Sequence, residues 1–166
     1  MKISINNIDA FIFDFDGVLT NNLVYLDQHG TESVSCSRSD GLAFEVLHKL
    51  KMPTYILSTE VNPVVIARAK KLKVPVLQGL DNKVSALKSL AKEQNYIMDR
   101  ILYIGNDLND YYAIKACGFS VCPADSHQGI KDIVDIVLKT SGGMGVAREL
   151  LEEVLSIDFI KILYNN

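Results

Sequence analysis

Tryptophan is absent from the 166 residues, and cysteine occurs three times, at Cys36, Cys117 and Cys122. No two of these form a CxxC pair, so the chain offers neither a disulfide framework nor a thiolate metal cage. They read as small packing residues, and the expected setting is reducing and cytoplasmic. No apolar run approaches the ~18–20 residues that cross a bilayer. Polar residues interrupt the opening stretch Met1–Asn7 before a signal-peptide core can form, so no membrane partner is expected. Basic blocks are missing too. With a net charge of −3 and few aromatics, neither counterion release nor base stacking would favour nucleic acid. A dinucleotide binder would carry Gly-x-Gly-x-x-Gly after its first strand, and Gly17 stands alone there.

What is present suits a single globular domain over residues 1–166: 48% apolar and 22% charged residues, a length at which two cores are unusual. Apolar, β-prone runs recur at Ala10–Phe13, Pro53–Leu57, Pro75–Leu77, Arg100–Ile104, Gly118–Cys122 and Ile133–Leu138. Helical spacing fills the gaps between them. Leu42, Val46, Leu47 and Leu50 make one apolar stripe. Val64, Val65, Ala67 and Leu72 make another, after Asn62 as cap and Pro63 in the first turn. Val84, Leu87, Leu90 and Ala91 make a third, and Tyr112, Ile114 and Ala116 a fourth. Continuous apolar strands alternating with helices predict an α/β fold, a three-layer Rossmann-like parallel sheet. One segment breaks the alternation. Leu23–Leu26 and Thr31–Val34 flank Asp27-Gln28-His29-Gly30, which predicts a β-hairpin flap after the first strand.

In an open parallel sheet, ligands bind beyond the carboxyl ends of the strands. Asp14 and Asp16, in Asp14-Phe15-Asp16-Gly17-Val18, lie at such an end. Two carboxylates this close repel unless a cation sits between them, and a hard ion such as Mg²⁺ takes oxygen ligands. One carboxylate can attack a phosphate ester while the other handles protons. Gly17 allows close backbone approach to a phosphoryl group. Three more strand ends carry matching chemistry. Ser58-Thr59 supplies hydroxyls, Lys83 a charge for phosphate and nucleophile, and Gly105-Asn106-Asp107-Leu108-Asn109-Asp110 a run of metal-binding oxygens. Singly, each reads as well as a turn, a cap or a surface lysine. Their order at four successive strand ends is what points to phosphoryl transfer. A signalling receiver also uses Asp, hydroxyl and Lys, but its acidic pair and phosphoacceptor sit on different strands.

These four motifs resemble the haloacid dehalogenase superfamily of phosphotransferases. The resemblance implies that Asp14 is the nucleophile and Asp16 the general acid/base, with Ser58 and Lys83 in catalytic support. It implies Mg²⁺ held by Asp14, by the carbonyl of Asp16, and by Asn106 or Asp107. The hairpin, Ser37-Arg38-Ser39-Asp40-Gly41 and Gly142–Glu149 look like a subgroup without a large cap domain. That subgroup contains octulosonate 8-phosphate and nine-carbon nonulosonate 9-phosphate phosphatases. It also contains the C-terminal domains of acylneuraminate cytidylyltransferases. The gaps after Asp16 and Ser58 are too short for a cap. The expected substrate is the phosphate of a 2-keto-3-deoxy sugar acid, met by Gly17, Thr59, Glu60, Arg68, Lys71 and Asp110. Glu60 and Lys71 favour the nine-carbon acid, with the eight-carbon acid close behind. The expected assembly is a homotetramer. Two departures are visible, the first being Thr59-Glu60 after Ser58 where the octulosonate phosphatases this chain resembles carry Gly-Arg. Asn106 stands where the family often has Asp, which lowers the site's charge by one. The competing reading is a non-catalytic assembly domain.

Overall fold

All four residues of the run Ala10–Phe13 are buried. Successive side chains of a strand point to opposite faces, so this run needs cover on both. Phe11 and Phe13 enter one hydrophobic cluster, and Ala10 and Ile12 enter the other. The computed structural model describes residues 3–165. Its strands are β1 (Ala10–Phe13), β2 (Tyr25–Leu26), β3 (Glu32–Ser33), β4 (Thr54–Leu57), β5 (Val76–Leu77), β6 (Ile101–Ile104), β7 (Phe119–Cys122) and β8 (Ile136–Val137). Its α-helices are α1 (Arg38–Lys49), α2 (Val64–Leu72), α3 (Lys83–Gln94), α4 (Tyr111–Ala116), α5 (Gln128–Lys131), α6 (Val146–Glu149) and α7 (Phe159–Tyr164).

Six strands form one parallel sheet in the order β5-β4-β1-β6-β7-β8. Helices α1, α2, α6 and α7 cover one face, where Phe11, Phe13, Ile56, Leu102 and Ile104 meet Phe44, Val65 and Phe159. Helices α3, α4 and α5 cover the other, with Leu87, Leu90, Ile114 and Ile130 against Ile12 and Tyr103. Each fully buried large apolar side chain contributes roughly 1.5–3 kcal/mol. This is the expected three-layer α/β arrangement. Met1, Lys2 and Asn166 of the expected domain lie outside the described residues. Among the described residues, no helix is long and apolar enough to cross a membrane.

Local chemistry sets the helix ends. Ser37 caps α1 through Ser39 N–H, and Asn82 caps α3 through Ser85 N–H. Asn62 Oδ1 accepts from Val64 N–H at 3.0 Å, the cap expected before α2. Its partner Pro63 already has helical φ and ψ. The expected strand over Ile133–Leu138 is shorter than predicted. Ile133 and Val134 donate to Ile130 O in the turn that closes α5, so only Ile136–Val137 pairs with β7. An apolar run cannot tell a helix-closing turn from a strand.

The hairpin forms as expected, with Tyr25 opposite Ser33 and Leu26 opposite Glu32. Asp27 Oδ1 accepts from His29 and Thr31 N–H, and Gly30 turns the chain at φ +81°. It fills the space between β1 and α1, and no cap domain is inserted there or between β4 and α2 among the described residues.

Asp40 ties two distant segments together. It is wholly buried, and its Oδ1 accepts from Ala147 N–H at 2.9 Å. It thereby holds the start of α6, while its Oδ2 has no hydrogen-bond partner among the described residues. Burial raises its pKa from 3.8 to about 6, against the pull of those N–H groups. A folded pKa above the unfolded one gives stability that is full below pH ~4 and lost as pH rises through 6. The loss is about 3 kcal/mol. Asp40→Asn keeps an acceptor for Ala147 but no longer ionises. Urea unfolding at pH 4.5 and 7.5 should show the parent losing about 2 kcal/mol more than the variant across that interval. Equal losses would rule Asp40 out as the source.

Candidate active site

The chain leaves β1 to build β4 and β5 on one side, then returns to build β6, β7 and β8 on the other. The strand order therefore reverses beside β1, the place where open α/β sheets bind ligands. Register puts Phe13 opposite Ile56 and Ile104. Asp14, one residue beyond Phe13, and Ser58 and Asn106, two residues beyond Ile56 and Ile104, converge at one end of the sheet. They line a depression of about 270 Å³ with Asp16, Asn22, Thr59, Asp107 and Asn109.

Asp14 is buried, and its Oδ1 accepts from Lys83 Nζ at 2.6 Å. Lys83 comes from the first turn of α3, and its side chain is 1% exposed. The same ammonium donates to Asp110 Oδ1 at 2.7 Å. Two carboxylates thus share one cation inside the protein. Burial disfavours the charged ammonium, but the two carboxylates outweigh it and the Lys83 pKa is raised. For Asp14, burial and then the Asp110 charge prevail over Lys83 and push the pKa up to about 8. Asp16 is half-exposed. Burial and then the nearby Glu60 raise its pKa as well, the direction a general acid needs. Thr20 Oγ1 accepts from Gly17 N–H at 3.1 Å and donates to Asp16 Oδ1 at 3.4 Å. It fixes the turn that presents Asp16. Ser58 Oγ accepts from Glu60 N–H at 3.1 Å, which leaves its O–H free to donate into the depression.

The sequence matches the haloacid dehalogenase-like hydrolase family over residues 47–150. It is 33% identical to the 3-deoxy-D-manno-octulosonate 8-phosphate phosphatase of Haemophilus influenzae, over 93% of this chain and 87% of that one. The chain belongs to the haloacid dehalogenase-like hydrolase family. Its enzyme class is that of the phosphoric monoester hydrolases. Among solved structures it superposes on a chain described as a HAD family hydrolase from Streptomyces avermitilis. The TM-score is 0.92 and the identity 41%, over 96% of this chain and 91% of that one. It also superposes on the octulosonate 8-phosphate phosphatase of Moraxella catarrhalis, solved with magnesium, phosphate and KDO. There the TM-score is 0.86 and the identity 29%, over 90% and 87% of the two chains.

Not every expected site residue of this hydrolase faces the depression. Asp110 was expected to touch substrate. It is wholly buried instead, with Lys83 and the Tyr103 hydroxyl on Oδ1 and Asn106 N–H on Oδ2. The short 3₁₀ turn Leu108–Asp110 rotates it back beneath the loop, where it holds Lys83. Glu60 Oε1 accepts from Val61 and Asn62 N–H, so it braces the loop before α2. Arg68 donates to Ser37 O at 2.7 Å. With Lys71 it lines a separate depression between α1 and α2. Arg148, next to the glycine run, pairs with Glu152 and stacks on Phe159. Asn22, Asn109 and Tyr103 were not singled out from the sequence. Tyr103 carried a signal, since a buried tyrosine in an apolar strand needs a partner for its hydroxyl.

Among the described residues, no three His, Cys, Asp or Glu side chains gather as a metal site. The oxygen set here is mixed. One terminal atom of the Asn106 amide lies 2.8 Å from the Asp16 carbonyl oxygen and 3.1 Å from Asp14 Oδ2. An octahedron of oxygens at 2.0–2.1 Å from Mg²⁺ has edges of about 3 Å. The donors present therefore fit that ion by chemistry and by spacing. Asp107, exposed at the rim, turns its Oδ1 to Leu108 N–H.

Proposed function

We propose that this chain hydrolyses the phosphate monoester of a 2-keto-3-deoxy sugar acid through an aspartyl-phosphate on Asp14. The observation that carries the reading is the buried Asp14–Lys83–Asp110 triad, whose Asp14 lines the depression with Asp16 and Ser58. In the first step a carboxylate oxygen of Asp14 bonds to phosphorus and the bond to the sugar oxygen breaks. Asp16 gives its proton to that oxygen, because an alkoxide leaves poorly. In the second step Asp16 takes a proton from water, whose oxygen bonds to phosphorus. The bond to Asp14 breaks, phosphate leaves, and both side chains return to their starting states. Ser58 O–H and Lys83 hold phosphoryl oxygens in place. Mg²⁺, held by Asp14, the Asp16 carbonyl and Asn106, would supply the positive charge that favours ionised Asp14 and offsets the phosphoryl charge.

The relatives named above support the eight-carbon acid as the first substrate to test. The nine-carbon reading leaned on Glu60 and Lys71. Glu60 already has a bracing role, and Lys71 and Arg68 can serve only if another copy of the chain presents them. The exposed side chains Leu23, Val24, Tyr25 and Leu26 of the flap are consistent with a covered flap in the expected tetramer.

One assay tests substrate and mechanism together. Parent and Asp16→Asn are compared with Mg²⁺ on the eight- and nine-carbon sugar acid phosphates and on an aryl phosphate. The parent should prefer a sugar acid phosphate by at least about tenfold in kcat/KM. Asp16→Asn should lose about 10²–10⁴-fold on the sugar phosphates and much less on the aryl ester, whose leaving group needs no proton. Equal losses on both esters would remove Asp16 as the acid. Absence of turnover on every ester would favour the assembly-domain reading.

A further inference from the structure

The Asn106 amide lies against the backbone of the loop after Asp14. A Cβ on Gly17, which has φ +81°, would stand 1.9 Å from Asn106 Nδ2. Asn106 itself is buried. The amide atom turned toward Asp16 O and Asp14 Oδ2 meets acceptors alone, while its opposite atom meets donors. With oxygen inward, the three oxygens crowd at the spacing of a cation's coordination edge. A half-turn about Cβ–Cγ exchanges the two atoms. The nitrogen then donates to Asp16 O at 2.8 Å and Asp14 Oδ2 at 3.1 Å, and the oxygen faces the donors behind it.

We propose that Asn106 is a two-state ligand: its oxygen faces a bound divalent cation, and in the cation's absence the amide turns and its NH₂ bridges Asp14 and Asp16. A primary amide has two N–H donors and one good acceptor on opposite arms, so one side chain serves both states. A carboxylate at 106 could serve only the first. Without a cation it would set a carboxylate oxygen about 3 Å from the Asp16 carbonyl, which has no proton to offer. Asparagine therefore gives up cation affinity and gains a metal-free site that keeps its shape. The inference rests on the cation site of the proposed function. Its readouts do not involve turnover, so the two can fail separately.

The test uses the full chain, ¹⁵N-labelled, in EDTA and then titrated with Mg²⁺. The Asn106 side-chain NH₂ signal is assigned through its own Cβ and by its loss in Asn106→Asp. In EDTA its protons should exchange slowly with solvent. Added Mg²⁺ should shift the signal and end that protection, with the midpoint of the Mg²⁺-dependent rise in Tm. Asn106→Asp should melt below the parent in EDTA. It should bind Mg²⁺ at least about tenfold more tightly, because a full charge replaces a dipole beside a dication. Solvent-rate exchange in EDTA, a signal indifferent to Mg²⁺, or an Asn106→Asp chain as stable as the parent without metal would each overturn the proposal. A chain that shows the shifts but hydrolyses no sugar phosphate would keep it and overturn the functional reading.

Discussion

Asp14→Asn is expected to lower kcat by at least about 10⁴-fold, some 5–6 kcal/mol of transition-state stabilisation, while the fold stays intact. An amide cannot form the acyl phosphate, and no second carboxylate in the depression can take its place. Asp16 is held by Thr20 for proton transfer. Asp107 stands at the rim with its carboxylate turned to Leu108. The fold should tolerate the change because the amide is nearly isosteric with a protonated carboxyl. Burial already favours that uncharged form of Asp14 in the absence of a cation. Lys83 keeps Asp110 as its counter-charge, and the amide oxygen can still accept from Nζ. Circular dichroism and Tm should therefore match the parent within a few degrees. Turnover within tenfold of the parent would dismiss Asp14 as the nucleophile. A collapsed Tm would mean that its charge is structural.

Much of this site was legible because strand ends are. The apolar run Ala10–Phe13 stops at Asp14, Pro53–Leu57 stops at Ser58, and Arg100–Ile104 stops one residue short of Asn106. A parallel sheet then has no choice but to bring those ends together. Direction was not legible. Asp110 lies four residues after Asn106, and from spacing alone it could point at a ligand or beneath the loop. The 3₁₀ turn and the Tyr103 hydroxyl decide for the second. Arg68 and Lys71 share a helical face, but that face looks across α1 and not toward Asp14. Long-range partners were equally hidden. Nothing near Asp40 in the chain announces that its carboxylate holds Ala147 N–H, 107 residues away. The shortened β8 reflects a different limit. Its apolar residues satisfy burial equally well in a turn, so hydrophobicity could not place the boundary.

Removing the shared cation should affect the protein more broadly than removing the nucleophile. Lys83→Met fills similar volume but leaves Asp14 and Asp110 buried together without a counter-charge. Breaking a buried ion pair from one side costs about 3–5 kcal/mol. For a chain of this size that is a fall in Tm of roughly 6–20 °C. Turnover should fall by at least about 10³-fold, because the phosphoryl group loses its fixed positive partner. The double variant Lys83→Met with Asp110→Asn separates the two effects. An amide at 110 can turn its oxygen to Asn106 N–H and its nitrogen to the Tyr103 hydroxyl, which can accept as well as donate. One of the two stranded carboxylates is then gone. The double variant should recover at least about half of the lost stability, by the non-additivity expected of groups in one network. It should recover none of the turnover. Additive losses of stability would mean that Asp110 does not depend on Lys83 and that the triad is not a unit. Recovered turnover would mean that Lys83 acts only by shielding Asp110. The expected split, stability rescued and catalysis not, assigns Asp110 to positioning Lys83, and Lys83 to both the fold and the phosphate.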